Sequence, residues 1–328
     1  MRARVLATAV VVAAACGGCT SRAELLGLTP NEQVSSAGSV LSAPRAEVIG
    51  EQALARAHQA DVGRTGLAAR AAFTGIALRT ATATYAVDAV LEPSKDAAAL
   101  RAPAGRPSRV LLRAGAAYPR SFLTLSRPAG SATDEVGLLS SPDARTPYRV
   151  ASRALLLPGA QVPATSVTGA VSLPPDQTGL VATPERVVRD YAAVLQTGRS
   201  GGTDIADNAV TDGVRANAAG QARGVAKVAT FSQRHAPTDD PIEVLQTSDG
   251  GALVIGAITR TDDLTVRKGA GYLAPPAAYR ALAGGLARIT RAARVSTVQV
   301  VVFTVPPRGG GAVRLIAFSE LPFTIRAT

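Results

Sequence analysis

The chain has 328 residues, 47% hydrophobic and 18% charged, with 35 Lys plus Arg against 24 Asp plus Glu. At roughly 150 residues per domain this gives room for about two domains with a real core, and the ordinary apolar share excludes wholesale disorder. The two cysteines, Cys16 and Cys19, lie close to the N-terminus, which excludes a disulfide framework or a Cys-based zinc site in the body. Two histidines (His58 and His235), no Trp and 4% aromatics leave little material for general base chemistry or for stacking nucleobases.

The net charge of +11 does not read as nucleic-acid binding. The cations are almost all Arg, with Lys only at Lys95, Lys227 and Lys268, and they are scattered rather than gathered into runs of five or more. Basic clusters with interleaved aromatics are missing, so no nucleic-acid partner is expected. A basic surface of this kind suits an anionic lipid headgroup or a wall polymer.

The N-terminus carries the clearest signal. Residues 1–4 are short and cationic, and 5–15 (VLATAVVVAAA) are uncharged, small and apolar. Eleven residues at about 1.5 Å each cover roughly half of a ~30 Å hydrocarbon core, too little for a transmembrane helix but right for a secretory signal. Small residues then precede a cysteine, as Ala13-Ala14-Ala15-Cys16 or as Gly17-Gly18-Cys19. This resembles the lipobox of bacterial lipoproteins. The resemblance implies that Cys16 or Cys19 receives the lipid, with palmitate-like acyl chains, and that the protein is held on the extracytoplasmic face of the cell membrane. Each buried methylene contributes ~0.8 kcal/mol, and two chains anchor stably where one does not. A Cys-x-x-Cys redox role would need a folded strand-helix context to lower the thiol pKa, which a signal segment does not provide.

After the signal and lipobox (1–19) comes a polar, Ser- and Gly-bearing tether (20–42). An Ala-rich stretch from Pro44 then predicts two or three helices, broken near Gly63 and Gly66, followed by strands at 108–114, 121–127, 135–141 and 148–157. A Pro-rich linker spans 163–180. Beyond it Thr183-Pro184-Glu185 opens a helix whose Val187, Val188, Tyr191, Val194 and Leu195 share one face. An Ala-rich helix is expected over 207–234, then strands at 241–248, 252–266, 295–307 and 312–320, the last two joined at Gly309-Gly310-Gly311. Helices before an antiparallel meander, twice over, predict an α+β fold of two tandem helix-plus-sheet domains (43–162 and 181–328), nuclear-transport-factor-2-like or cystatin-like. In the strand at 295–307, Val301, Phe303 and Val305 share a face with one polar residue, Gln299, so both faces are expected to be covered and the strand central.

The segments DGGALVIGAITRTDD (249–263), YLAPPAAYRALAG (272–284) and STVQVVVFTVPPRGGGAVRLIAFSE (296–320) resemble an uncharacterised actinobacterial lipoprotein family with a C-terminal domain of unknown function. FTGIAL (73–78), YPRSFLTL (118–125) and PYRVASRALLLPG (147–159) are similar to its N-terminal half. The resemblance implies location and architecture and assigns no catalytic residue.

No catalytic, metal-ligating or cofactor-binding residue stands out. Gly198-Arg199-Ser200-Gly201-Gly202 spells G-x-S-x-G, but a helix runs into it and a loop leaves it, so it reads as a helix terminus and not a nucleophile elbow. His58 reads as a partly exposed helix residue. His235 is expected at a helix end near the carbonyl dipole, with Asp239 and Asp240 too few to complete a metal site; Asp262-Asp263 reads as a strand bend or solvated edge. Two functions stay open. The first is a lipid-anchored envelope protein with a non-catalytic binding or assembly role, its partners the membrane and an envelope protein or wall polymer. The second is a small-molecule-binding or enzymatic pocket on the concave sheet. A cone filled by its own Leu and Val favours the first; a pocket lined by Tyr, Asp and His favours the second.

Overall fold

The computed structural model describes residues 38–91, 106–128 and 131–328. The signal segment, Cys16 and Cys19, and most of the tether lie outside the described residues.

Three Ala-rich helices come first: α1 (Ala43–Gly63), α2 (Gly66–Ala72) and α3 (Gly75–Leu91). Arg64 in the left-handed region closes α1, and the Thr65 hydroxyl accepts the Ala68 N–H at 3.1 Å to start α2. Their small residues let the helices pack closely, with Ala57, Ala60, Ala69, Ala72 and Ala77 gathered around Phe73 and Tyr85. Strands β1 (Arg109–Leu112), β2 (Arg120–Ser126), β3 (Glu135–Ser141) and β4 (Arg149–Leu156) follow as an antiparallel meander.

After residues 157–183 come α4 (Pro184–Thr197) and α5 (Ala209–Val225), then β5 (Ala229–Pro237), β6 (Glu243–Gln246) and β7 (Ala252–Val266). The short α6 (Ala277–Leu282) leads to β8 (Ala292–Val305) and β9 (Arg314–Ala327), which gives an α+β fold of six helices among the described residues and one large antiparallel sheet. Most predicted elements fall where the sequence puts them. The exception is 229–234, expected to extend a helix: α5 stops at Val225 and β5 follows. Gly213, Gly220 and Gly224 weaken that helix, each by about 1 kcal/mol relative to Ala, and β5 gains a full ladder against β7.

The expected division into two tandem domains is not what the strands form. Their order is β1-β2-β3-β4-β9-β8-β7-β5, with β6 also on β7, so the C-terminal strand β9 joins the first meander to the second set through Leu155–Phe318 and Leu156–Ala317. Residues 37–328 are accordingly one unit. Helix-then-strand repetition in the sequence does not reveal a terminal strand that inserts between two sets.

The expected linker also has structural work. The Ala170 N–H donates to Leu112 O and Ala114 N–H donates to Ala170 O, both at 2.7 Å; on its other side Leu173 N–H reaches Val244 O at 3.0 Å and Gln246 N–H reaches Val171 O at 2.9 Å. Residues 170–173 thus fill the gap between β1 and β6, and the sheet curls to bring those edges within reach of one segment. Ser121 on β2 donates to Glu243 on β6 at 3.0 Å, a contact that strands about 4.8 Å apart in a flat sheet would forbid.

The inner face of the curl carries Leu111, Leu123, Val136, Ala154, Leu156, Leu245, Leu253, Ile255, Val300 and Val302, all buried in one cluster with Val162 and Ala170. The outer face is covered by helices. Leu112, Phe122 and Leu139 pack on Ala46 and Ala53 of α1, while Val254, Ile258, Val301, Phe303 and Val305 pack on Val187, Val188, Tyr191 and Leu195 of α4. Gly256 lets α4 approach: a Cβ there would lie 2.7 Å from Val188 Cγ2. The central placement expected for the 295–307 strand holds, since β8 lies between β7 and β9 with Phe303 fully buried.

Gly169 is the hinge of the closing segment, with φ of +123° and no room for a side chain: a Cβ would stand 2.9 Å from Ser39 N and 3.2 Å from Ala114 Cα. Gly169→Ala is expected to cost ~1–3 kcal/mol and to make 163–173 the first point of limited proteolysis. A urea midpoint and cleavage pattern like those of the wild type would contradict the closure.

Candidate functional site

Where α4 ends, the outer face of β5, β7, β8 and β9 turns polar. The register pairs His235 with Arg260, Gln233 with Asp262, and Gln299 with Glu320, so alternate residues of four neighbouring strands project from the same face. His235, Arg260, Asp262 and Gln299 are all buried.

Their side chains form a closed ring. Arg260 bridges two carboxylates, Asp262 at 3.0 Å and Glu320 in a short ion pair. Gln233 Nε2 donates to Asp262 Oδ1 at 2.8 Å, and Gln299 Nε2 donates to Glu320 Oε2 at 2.6 Å. Both amides then turn their oxygens to one imidazole, Gln299 Oε1 lying 3.1 Å from His235 Nδ1 and Gln233 Oε1 lying 2.9 Å from Nε2. The carboxylates fix the amide orientations, because only an N–H can face them. A neutral His235 donates to one amide and sets its other nitrogen against an oxygen, whereas an imidazolium donates to both. Burial nevertheless pulls the His235 pKa below its ordinary value, with the Gln299 hydrogen bond opposing. Gln196, at the end of α4, accepts the His235 backbone N–H at 3.2 Å, and burial beside the ring raises the Tyr279 pKa.

This arrangement differs from the sequence expectations. His235 is on a strand rather than at a helix end, and it does not meet Asp239 or Asp240; Asp240 is gripped by Arg79 of α3 through two bonds of 3.0 and 2.5 Å. Asp262 is buried, not a solvated edge, although its neighbour Asp263 is the half-exposed partner of Arg234 and Arg294. His58 is a half-buried residue of α1, as expected. Ser200 sits in the turn that ends α4, where Gly198 is left-handed and Asp190 holds the turn by accepting the Thr203 N–H at 3.1 Å and hydroxyl at 2.5 Å. Gln233, Arg260 and Glu320 were not legible as members of a site. Gln299 was the available signal, the one polar residue on an otherwise apolar strand face.

The ring's side chains pair mainly with one another, although the buried Arg260 Nε has no hydrogen-bond partner among the described residues. Both carboxylates accept from Gln233, Gln299 or Arg260, and each imidazole nitrogen faces an amide oxygen. Among the described residues no group of three or more His, Cys, Asp or Glu could hold a metal ion. A cavity of about 90 Å³ lies among the described residues beside Arg113, Arg120 and Tyr148, and another of about 310 Å³ lies at the β8–β9 turn beside Asp249 and Arg314.

At the mouth of the inner face, Glu243 accepts from Ser121 with Arg113 3.8 Å away, and burial raises its pKa. A raised pKa means that the folded state holds its proton above about pH 4.5 while the unfolded state releases it, so this group's contribution falls as pH rises toward the folded value. The stability of Glu243→Gln relative to wild type is therefore expected to increase between about pH 4 and about pH 7. Parallel urea midpoints at both pH values would contradict the burial argument.

Residues 126–321 match a domain of unknown function (DUF8094), and the chain belongs to that family. The matched region runs through the closing segment 170–173 and contains all six ring residues. No curated protein and no solved structure matches the chain.

Proposed function

We propose that this is a lipid-anchored cell-envelope protein with a non-catalytic binding or assembly role, held on the extracytoplasmic face of the membrane through Cys16 or Cys19. The observation that carries the choice between the two readings is the inner face of the curled sheet. A pocket protein of this shape keeps that face open, with a few polar groups set among apolar ones; here Leu111, Leu123, Leu245, Leu253, Ile255, Val300 and Val302 are buried against one another and fill it. The polar ring on the outer face supports the same reading, because its carboxylates and side-chain amides are paired within the ring. Among the described residues no helix is long and apolar enough to cross a membrane, and lipid at the N-terminus supplies the anchor in this proposal. The lipobox-like Ala13-Ala14-Ala15-Cys16 and Gly17-Gly18-Cys19, behind a short apolar stretch, support the location.

The test is the full-length Cys16→Ser/Cys19→Ser double variant. It should leave the membrane fraction or fail to be processed, and mass spectrometry of the wild-type N-terminal peptide should find acyl mass on one of the two cysteines. Membrane association unchanged in the double variant, with no acyl mass in the wild type, would overturn the proposal.

A further inference from the structure

Cations collect where β7 ends and β8 begins, beside the end of β9. From residue 264 to 319 the chain contains no Asp or Glu, and Glu320 is committed to the buried ring. The folding of the chain gathers the cations of this stretch. Arg267 N–H bonds Val228 O at 2.9 Å and its Nε bonds Ala226 O at 3.0 Å, which fastens the end of β7 to the end of α5. Val266 N–H bonds Arg291 O at 2.8 Å, and Arg291 N–H bonds Thr328 O at 2.8 Å, which brings in the start of β8 and the end of β9. Lys227, Arg267, Lys268, Arg288, Arg291 and Arg326 are therefore exposed at one end of the molecule. Asp263, the carboxylate of β7 nearest to them, is already held by Arg234 and Arg294, each at 2.6 Å. On the same end Tyr272 is 46% exposed, with the Arg288 guanidinium 4.6 Å from its ring centroid. An exposed aromatic beside basic side chains matches the chemistry of a bilayer headgroup layer, where the ring enters the interface and the cations meet anionic lipid.

We infer that this end is a docking face for an anionic phospholipid surface, which orients the domain on the membrane. The inference extends the lipid-anchored reading and rests on it for location, while the charge argument stands on the fold. A lipid surface fits better than a soluble polyanion because the cations share a face with the exposed Tyr272, which a polymer would leave in water.

The test uses the full-length, unacylated Cys16→Ser/Cys19→Ser chain, co-sedimented with phosphatidylcholine vesicles or with phosphatidylcholine–phosphatidylglycerol vesicles at low and high salt. Binding should require phosphatidylglycerol and fall with salt. Adding Lys268→Glu/Arg291→Glu should weaken it by roughly 30-fold or more, since each cation near such a surface is worth about 1 kcal/mol. Arg308→Glu/Arg314→Glu changes the net charge equally but lies at the other end of β8 and β9, about 45 Å away, and should bind nearly as well as the parent. Equal binding to both vesicle types, equal loss in both charge variants, or binding to soluble polyglutamate but not to vesicles would each overturn the inference. Absence of acyl mass on the wild-type cysteines would sink the anchor while leaving this vesicle result intact, so the two failures are distinguishable.

Discussion

Phe303→Ala is expected to lower the stability of the full chain by ~3–5 kcal/mol, enough to unfold a marginally stable protein. Phe303 is fully buried where α4 meets β7, β8 and β9, and its ring meets Tyr191 edge to face with centroids 5.1 Å apart and planes at 74°. Truncation removes that contact and leaves a cavity that Val301, Val305 and Leu315 cannot collapse into, because their strands are fixed by ladders on both sides. A urea melt of wild type and variant measures the loss. A loss below about 1 kcal/mol would place Phe303 outside the core and remove the packing of α4 on the sheet.

Arg260→Leu is expected to cost ~3–5 kcal/mol, because it leaves the buried Asp262 and the partly buried Glu320 without the cation between them. The triple variant Arg260→Leu/Asp262→Asn/Glu320→Gln should recover much of that loss, since the ring then contains no uncompensated charge while Gln233 and Gln299 keep hydrogen-bonding partners. Denaturant melts of the single and triple variants compare the two costs. If the triple variant is no more stable than the single one, the ring acts through packing and not through charge compensation.

Local elements were legible in the sequence where periodicity and caps agree. The α4 face of Val187, Val188, Tyr191 and Leu195, Pro184 at its start and Gly198 at its end state the helix without help from the rest of the chain. The β8 strand was equally legible, with Gln299 the one polar residue beside Val301, Phe303 and Val305 on its helix-covered face. Three features were not. Residues 170–173 read as a Pro-flanked linker because nothing in their composition records the free edges of β1 and β6 that they bond. The insertion of β9 beside β4 depends on pairing between residues more than 150 positions apart. The ring depends on register: His235, Arg260 and Asp262 look like scattered surface residues until the strands align them on one face. Sequence spacing along one strand predicts which residues share a face, but not which strand lies beside it.

Residues 37–328 are expected to unfold as one cooperative body, because the first meander and the long C-terminal strands share a single curled sheet. Native-state hydrogen exchange in rising urea, read by mass spectrometry, tests it most directly. Peptides covering β2 and β3 should open in the same transition as peptides covering β7 and β8, with the amides of Ala170 and Leu173 protected until that transition. Separate opening of 109–156 at lower urea, with β7 and β8 still protected and Ala170 already exchanged, would contradict it and restore two domains joined by a linker.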